Sequence, residues 1–387
     1  MQNLLSQMVY VVERMSMRNA PASLVSFCGK ACAYAFFFCP GIADILVRLW
    51  HIPIGTLRRV FAEFGVERGS NLSETSKDMA AKFPPALRSL RVSSQAGLAR
   101  HLQHRAPLPL GAAYIRWYGP WLGRWSGRDS DLFFVFTKHF MQLVSEHIPE
   151  GTELSHMACV PGIAPVLSQV LTVLETTIYR QAGQATPESF ASGTIDDVNG
   201  PDSIAPMPMT IANAARSMAE NRLIMLLRDV TGDKLPERHP LRDVYLRSFN
   251  GVLKAACRKV SVFNNDACFV LCDFMEEVLP IMSRYQSSQP NSDVLDWTFW
   301  LQVCQKMMES HNTLTKVRLI AFMYSMWNFL LMNERMKHKI CLDWLLGPEF
   351  FQEHFEHWCP MVRHYFHRLL CWRVARYDGA AASDVDM

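Results

Sequence analysis

The stretch HPLRDVYLRSFNGVLKAACRKV, His239 to Val260, repeats apolar residues every three or four positions. The apolar residues are Leu241, Val244, Tyr245, Phe249, Val252, Leu253 and Ala256, and the basic ones are Arg242, Arg247, Lys254 and Arg258. At 3.6 residues per turn, this spacing puts the two sets on opposite sides of an α-helix. The pattern predicts an amphipathic helix whose apolar side packs against other helices.

The same periodicity recurs along the chain, and no segment alternates apolar and polar residues as a half-buried strand does. A helix is expected to follow from Asp266 and to end at Pro280, because proline has no amide hydrogen. The segment TKVRLIAF, Thr315 to Phe322, resembles the second helix of HEAT repeats. We therefore predict an all-α fold, built as an irregular α-solenoid or a multi-helix array of HEAT- or armadillo-like hairpins.

Composition indicates a cytoplasmic globular protein. The chain has 387 residues, 49% of them hydrophobic, which is enough for one large core or two ordinary ones. Its 39 basic and 36 acidic residues are scattered, so the concentrated basic face of a nucleic-acid-binding protein is missing. The 11 cysteines are odd in number and lie mostly in apolar runs, which favours a reducing compartment.

Two polar segments divide the chain. Residues 66–78 are predicted to form a polar loop, and residues 181–210, rich in Pro, Gly, Ser and Asp, a flexible linker. This division predicts an N-terminal helical region, 1–180, and a C-terminal helical region, 211–377. The last residues, 378–387, are expected to be a disordered acidic tail.

The N-terminus has no signal-peptide pattern, because no basic residues precede its apolar ones. It starts inside a helix-like pattern, so we expect the chain to be part of a longer protein. An integral membrane protein remains an alternative, with Met157–Leu174 or Leu319–Asn333 inserted. The first segment contains Pro161, Gly162 and Pro165, and the second is shorter than the roughly 20 residues that a crossing helix needs.

The stretch FFQEHFEHWCPMVRHYFHRLLCWRVARY, Phe350 to Tyr377, offers two interpretations. Zinc accepts histidine and cysteine ligands, and the candidate metal ligands are His354, His357, His364 and His367. The histidines of each pair are three apart, whereas the helical protease pattern needs four, and Pro360 interrupts the run. Packing of two aromatic helices is the favoured interpretation. A metal-dependent enzyme or a structural zinc protein is the alternative.

A second aromatic stretch, YIRWYGPWLGRWSGRDSDLFFVFTKHF, combines tryptophan and arginine. Such residues pack where helices cross, or contact acidic proteins and lipid headgroups. If a binding surface exists, we predict it here, at Arg116, Trp117, Trp121, Arg124, Trp125 and Arg128. No glycine-rich phosphate loop, nucleophile elbow or acidic calcium loop is present, so catalysis is not favoured and no cofactor is predicted.

Three stretches together resemble a fungal family of uncharacterised proteins. They are FCPGIADILVRLW from Phe38, WLGRWSGRDSDLFFVFTKHF from Trp121, and LDWLLGPEFFQEHFEHWCPMVRHYFHRLLCWRVARY from Leu342. The family is defined by a domain of unknown function, and its members, generally longer, are often labelled UPF-type membrane proteins. The resemblance implies a family fold and supplies no catalytic residues.

These observations favour a non-enzymatic helical scaffold or adaptor. It would bind protein partners in grooves between helical hairpins, and no nucleic-acid partner is expected. Its predicted location is cytoplasmic, with peripheral contact to a membrane surface as a further expectation.

Overall fold

The computed structural model describes residues 2–104, 108, 112–128, 131–149, 151–182, 218, 220–232, 240–288, 295–331 and 334–375. Its α-helices are α1 Gln2–Met15, α2 Ala22–Phe38, α3 Ile42–Arg48, α4 Ile54–Glu63, α5 Ser73–Ala81, α6 Gln95–Gln103, α7 Trp121–Trp125, α8 Leu132–Ser145, α9 Leu154–Met157, α10 Ile163–Ala182, α11 Arg222–Thr231, α12 Pro240–Cys257, α13 Asn265–Ser288, α14 Trp297–Met308, α15 Thr313–Ser325, α16 Trp327–Leu330, α17 Glu334–His338, α18 Pro348–Phe355 and α19 Pro360–Leu369. A 3₁₀-helix spans Pro85–Leu90, and π-helical segments span Lys339–Leu345 and Leu370–Val374.

The all-α prediction is confirmed, since the described residues contain helices and no strand. The finer prediction, a solenoid of HEAT- or armadillo-like hairpins, stays a prediction. Among the ranges given above, no helix combines the length and the hydrophobicity that a bilayer crossing requires.

Two local predictions need correction. The polar loop predicted at 66–78 is shorter, because α5 begins at Ser73, whose amide donates to the Asn71 side chain at 3.0 Å. The helix expected to end at Pro280 continues to Ser288 as α13. Buried Val278, Leu279 and Met282 flank this proline, and their packing offsets the hydrogen bond that it cannot make. Most of the predicted linker 181–210, from residue 183 onward, and the predicted tail 378–387 lie outside the described residues.

The chain divides into two compact units that a linear boundary does not separate. Unit 1 comprises Met1–Thr177 and Glu220–Lys259, and unit 2 comprises Ile178–Ala219 and Val260–Met387. The predicted regions 1–180 and 211–377 differ from this division. The reason is that α11 and α12 pack on α8, and α12 also packs on α4, so both helices complete the N-terminal core.

In unit 1, α2 and α8 form the closest helix pair. A Cβ atom added to Gly29 would lie 2.6 Å from Cβ of Val135, so only glycine permits this approach. The ring of Phe36 lies 5.3 Å from that of Phe136 and 5.2 Å from that of Phe140. Edge contacts between aromatic rings add to the burial of apolar area at this crossing.

Helix α12 bears out the amphipathic pattern of its sequence except at Arg242, which was placed on the basic side but is buried and donates to the Gly232 carbonyl. Its apolar side chains from Val244 to Cys257 are buried. Ion pairs hold the C-terminal end of α12 against α4 and α10. Arg258 pairs with Glu63 of α4. Glu175 of α10 binds Lys259 at 2.9 Å and also binds Arg59 of α4. Glu175 is 9% exposed at its side chain, so these partners compensate a carboxylate that has lost most of its water.

In unit 2, α15 packs on α13 and α19. Arg318 donates to Asp273 at 2.5 Å and to Glu276 at 2.9 Å, both on α13, and its side chain is only 14% exposed. Burial disfavours the charge, but Cys272 and the two carboxylates outweigh this, so the pKa of Arg318 rises. The Val-Arg pair that resembles a HEAT repeat thus serves to fasten α15 to α13.

Candidate functional site

Two of the predicted binding residues, Trp121 and Trp125, form part of the core of unit 1. Both are 0% exposed. Trp125 stacks on Trp50 with ring centroids 5.1 Å apart and planes 15° apart, and its Nε1 donates to the Leu46 carbonyl at 3.0 Å. We name the segment Ala112–Arg128, together with Trp50, the tryptophan corner. These two side chains contact no solvent, so the predicted surface must be narrower than proposed.

Each indole nitrogen of the tryptophan corner donates to a backbone carbonyl. Trp50 donates to the Trp125 carbonyl at 3.1 Å, and Trp121 to that of Arg116 at 3.1 Å. Trp117, which is partly exposed, donates to the Ala112 carbonyl at 3.2 Å. Because buried donors are costly when unpaired, this complete pairing indicates a structural role for the rings.

The three arginines of the tryptophan corner differ in their environments. Arg124 donates to the carbonyls of Met17 at 2.7 Å and Arg18 at 2.8 Å, so it closes the end of α1. Arg116 and Arg128 are exposed. The part of the predicted surface that a partner can reach therefore consists of Arg116, Arg128 and the edge of Trp117.

The four candidate metal ligands do not converge. His354 is 1% exposed, and its Nδ1 lies 2.9 Å from the Phe350 carbonyl. Nε2 of His367 lies 3.1 Å from the Phe355 carbonyl, whereas His364 is exposed. Within the residues that the structure describes, no three His, Cys, Asp or Glu side chains are placed to hold one metal ion. The metal interpretation of these histidines is not supported by their geometry.

His357 nevertheless lines an open cleft in unit 2, which we name the Lys316 cleft. Its volume is about 440 Å³, within the usual range for ligand pockets. The residues that line it are His311, Lys316, Gln352, Glu353, Glu356, His357 and Trp358. They come from the start of α15, from α18 and from the turn that joins α18 to α19.

A buried lysine lies at the base of the Lys316 cleft. The Lys316 side chain is 8% exposed, and its Nζ donates to Glu353 Oε1 at 2.8 Å. Glu353 is 59% exposed, so a mobile surface carboxylate neutralises a cation that water hardly reaches. The hydrogen bond from Lys316 lowers the pKa of Glu353, despite the opposing effect of burial.

Burial is also the main influence on the two histidines here. It lowers the pKa of His354, and the nearby charge of Lys316 adds to the effect. The pKa of His357 is lowered for the same two reasons, burial first. Both rings are therefore neutral at pH 7, and the charged groups beside them are Glu353, Lys316 and Arg363, which donates to the His357 carbonyl at 2.8 Å.

An exposed aromatic surface lies on α1 and α2 of unit 1. Its aromatic members on α2 are Phe27, Tyr34 and Phe38, which are 48%, 37% and 42% exposed. Tyr10 of α1 contacts Phe27 edge-on at 6.2 Å. Two cations lie over these rings: Arg14 is 5.0 Å from Tyr10, and Lys30 is 5.8 Å from Tyr34. These six residues form what we name the α1–α2 face.

Residues 249–374 match a family model described as a protein of unknown function, DUF1765. The matched segment is about a third of the chain. All the residues of the Lys316 cleft fall inside it, and the tryptophan corner and the α1–α2 face lie outside it.

A protein of Schizosaccharomyces pombe, named a UPF0592 membrane protein, is 24% identical to the chain over 383 residues. The match covers 96% of this chain and 41% of the relative, so the chain spans less than half of that protein. No solved structure matches. The family-model match and the Schizosaccharomyces pombe relative together confirm the expected resemblance to a fungal family of uncharacterised proteins that is defined by a domain of unknown function.

Sequence reasoning missed Lys316 and the α1–α2 face for different reasons. Lys316 is a charged residue near the start of an apolar helix pattern, and nothing in its local sequence marks it as buried. On α2, apolar residues occur on every side, so periodicity does not separate the packed side from the exposed one. Gly29 was the available signal, because a small residue often marks the side where another helix approaches.

Proposed function

We propose that the protein is a non-enzymatic helical scaffold that binds protein partners at the surface of a membrane, on the cytoplasmic side. The observation that supports membrane contact is the α1–α2 face, on which exposed aromatic rings alternate with Arg14 and Lys30. Aromatic rings favour the interface between headgroups and acyl chains, and cations are attracted to acidic lipids. Arg116 and Arg128 of the tryptophan corner remain a proposed second contact.

The energetics of such a contact suit reversible attachment. Phe27, Tyr34 and Phe38 are each more than a third exposed, so each leaves apolar area for burial in lipid. Burying that area contributes roughly 1–2 kcal/mol per ring. Each nearby basic side chain adds about 1 kcal/mol at an acidic surface. Three rings and two cations together are enough for peripheral binding without an inserted helix.

The name of the Schizosaccharomyces pombe relative, a membrane protein, supports this proposal. That protein is more than twice as long as the aligned region, so its membrane contact need not lie there. A peripheral contact on α1 and α2 is the form of attachment that the exposed rings of this chain suggest. The scaffold role rests on the helical architecture, whose hairpins offer grooves to partner segments.

Sedimentation with lipid vesicles tests the membrane contact. We expect the protein to bind vesicles containing phosphatidylserine more tightly than vesicles of phosphatidylcholine alone. The triple variant Phe27→Ser, Tyr34→Ser and Phe38→Ser should weaken this binding by more than about tenfold, because it removes the three rings. Added salt should weaken binding of the wild type, since Arg14 and Lys30 are screened.

A matched control is available in unit 2. Phe263 is 79% exposed, more than any ring of the α1–α2 face, and Phe263→Ser should leave vesicle binding unchanged. Circular dichroism of each variant checks that the helices persist. Equal loss of binding in the control, or none in the triple variant, would contradict attachment through the α1–α2 face.

A further inference from the structure

The protonation pattern of the Lys316 cleft can be deduced from its hydrogen bonds. Nδ1 of His354 lies 2.9 Å from the Phe350 carbonyl, which only accepts, so Nδ1 carries the proton. Because burial keeps this ring neutral, Nε2 bears a lone pair. That atom is buried, has no hydrogen-bond partner, and lies 4.0 Å from Glu353 Oε1. An acceptor without a donor therefore lies behind Glu353, beneath the residues that line the cleft.

His357 has the opposite arrangement. Its Nδ1 accepts from the amide of Cys359 at 3.0 Å, so the proton of the neutral ring is on Nε2. The ring stacks beside Trp358, with centroids 5.6 Å apart and planes 27° apart. This contact orients the indole, which is 78% exposed at the mouth of the cleft.

The charges of the cleft favour a cation. Lys316 faces two carboxylates, and it is bonded to one of them, Glu353. Glu356 is exposed and forms no ion pair within the part of the chain that the structure describes. An entering anion would meet these two carboxylates.

We propose that the Lys316 cleft binds the arginine side chain of a protein partner. The guanidinium stacks on Trp358 and donates to Glu356 and to the free oxygen of Glu353. This inference rests on the proposed scaffold role, since the arginine must come from another protein.

A guanidinium matches these groups better than other ligands do. It is planar, so it stacks on an indole and pairs with carboxylates at the same time. It carries five N–H donors, enough to bind both carboxylates. An ammonium group has three donors and no flat face, so it stacks less well on Trp358.

The test uses the full chain labelled with 5-fluorotryptophan and followed by fluorine NMR. The signal of Trp358 is identified by its loss in Trp358→Phe. The probe is N-acetyl-arginine methylamide, compared with its citrulline, lysine and glutamate counterparts. We expect the arginine probe to shift the Trp358 signal with a dissociation constant of about 1–10 mM, and citrulline, which is neutral and similar in shape, to bind at least about tenfold more weakly.

Two single variants separate the cleft from the general charge of α18. Glu356→Gln should weaken the arginine probe about fivefold, because it removes the unpaired carboxylate. Glu349→Gln is the matched control: it removes an exposed charge from the same helix that does not line the cleft, and it should change nothing. Both residues are exposed, so both variants keep the fold.

Several results would overturn the proposal. One is the lack of any saturable shift up to about 50 mM arginine probe. Others are equal binding of citrulline, equal binding of lysine, or tighter binding of glutamate, which would indicate an anion site. These results are independent of vesicle binding, which Glu356→Gln should leave intact, so failure of the cleft and failure of membrane attachment are distinguishable.

Discussion

The tryptophan corner and the Lys316 cleft contain the same kinds of side chain but differ in how their polar atoms are satisfied. In the corner, Trp121 and Trp125 are fully buried and their nitrogens donate to carbonyls. In the cleft, Trp358 is 78% exposed and Nε2 of the buried His354 has no partner. Composition alone favoured the corner as the binding surface, whereas the completed hydrogen bonds of its indoles mark it as structural, and the exposed ring of Trp358 beside Glu353 and Glu356 marks the cleft as a candidate site.

The two regions also differ in the source of their stability. The corner is held by stacked rings, with Trp50 and Trp125 at the centre and the neighbouring ring of Phe136 only 4.7 Å from that of Trp125. The base of the cleft is held by one charged hydrogen bond between a buried lysine and an exposed glutamate. Substitutions should therefore cost most in the corner and affect mainly charge and binding in the cleft.

The largest expected effect is that of Trp125→Ala. Removing a fully buried indole leaves a cavity and an unpaired Leu46 carbonyl, and it should lower the free energy of unfolding by roughly 3–5 kcal/mol. Chemical denaturation followed by circular dichroism measures it. Tyr118→Ala, in the same segment but 72% exposed, is the control and should cost less than about 0.5 kcal/mol. Similar costs for the two variants would show that the corner is not packed as described.

The second effect is that removing either partner of the Lys316–Glu353 ion pair should change stability in a different direction. Glu353→Gln leaves the ammonium of Lys316 buried without a carboxylate, and it should lower the free energy of unfolding by roughly 1–2 kcal/mol. Lys316→Met removes the buried charge and keeps most of the volume, so it should be neutral or stabilising. The same denaturation experiment compares them. A larger cost for Lys316→Met than for Glu353→Gln would mean that the ion pair itself stabilises unit 2.

The third effect depends on pH. The pKa of His354 is lowered in the folded chain, so the unfolded chain binds a proton first as pH falls below about 6.5. The stability that the neutral ring provides is complete above that pH and is lost as pH falls through the folded pKa, by at most about 1.4 kcal/mol per pH unit. His357 acts in the same direction, and Lys316 opposes protonation of both rings.

The variant His354→Phe tests this pH dependence. It keeps a ring against Phe350, which lies 4.0 Å away, and removes the titrating group. Denaturation between about pH 7.5 and pH 5.5 should show a smaller loss of stability than in the wild type. A slope identical to that of the wild type would exclude His354 as its source. His364→Phe, at an exposed position of α19, is the matched control and should leave the slope unchanged.

Sequence periodicity predicted the helices but not which polar residues they bury. The 3.6-residue pattern of α12 places its apolar side, but it also placed Arg242 on the opposite side, and Arg242 is buried against the Gly232 carbonyl. Lys316 lies in a helix of similar composition, and its burial depends on α18, which is more than thirty residues away. The exposure of Phe27 and the burial of Trp125 are likewise set by which helix packs on which, and local spacing carries no information about that.

The smallest expected change in stability comes from replacing the exposed arginines of the tryptophan corner. Replacing Arg116, Arg124 and Arg128 together would mix two effects, because Arg124 holds the carbonyls of Met17 and Arg18. The double variant Arg116→Ala and Arg128→Ala avoids this, and it should change the free energy of unfolding by less than about 0.5 kcal/mol. Because the fold of this variant is kept, its vesicle sedimentation reports on membrane contact alone. Weaker binding at unchanged stability makes the corner a second membrane contact beside the α1–α2 face, and unchanged binding restricts it to a structural role.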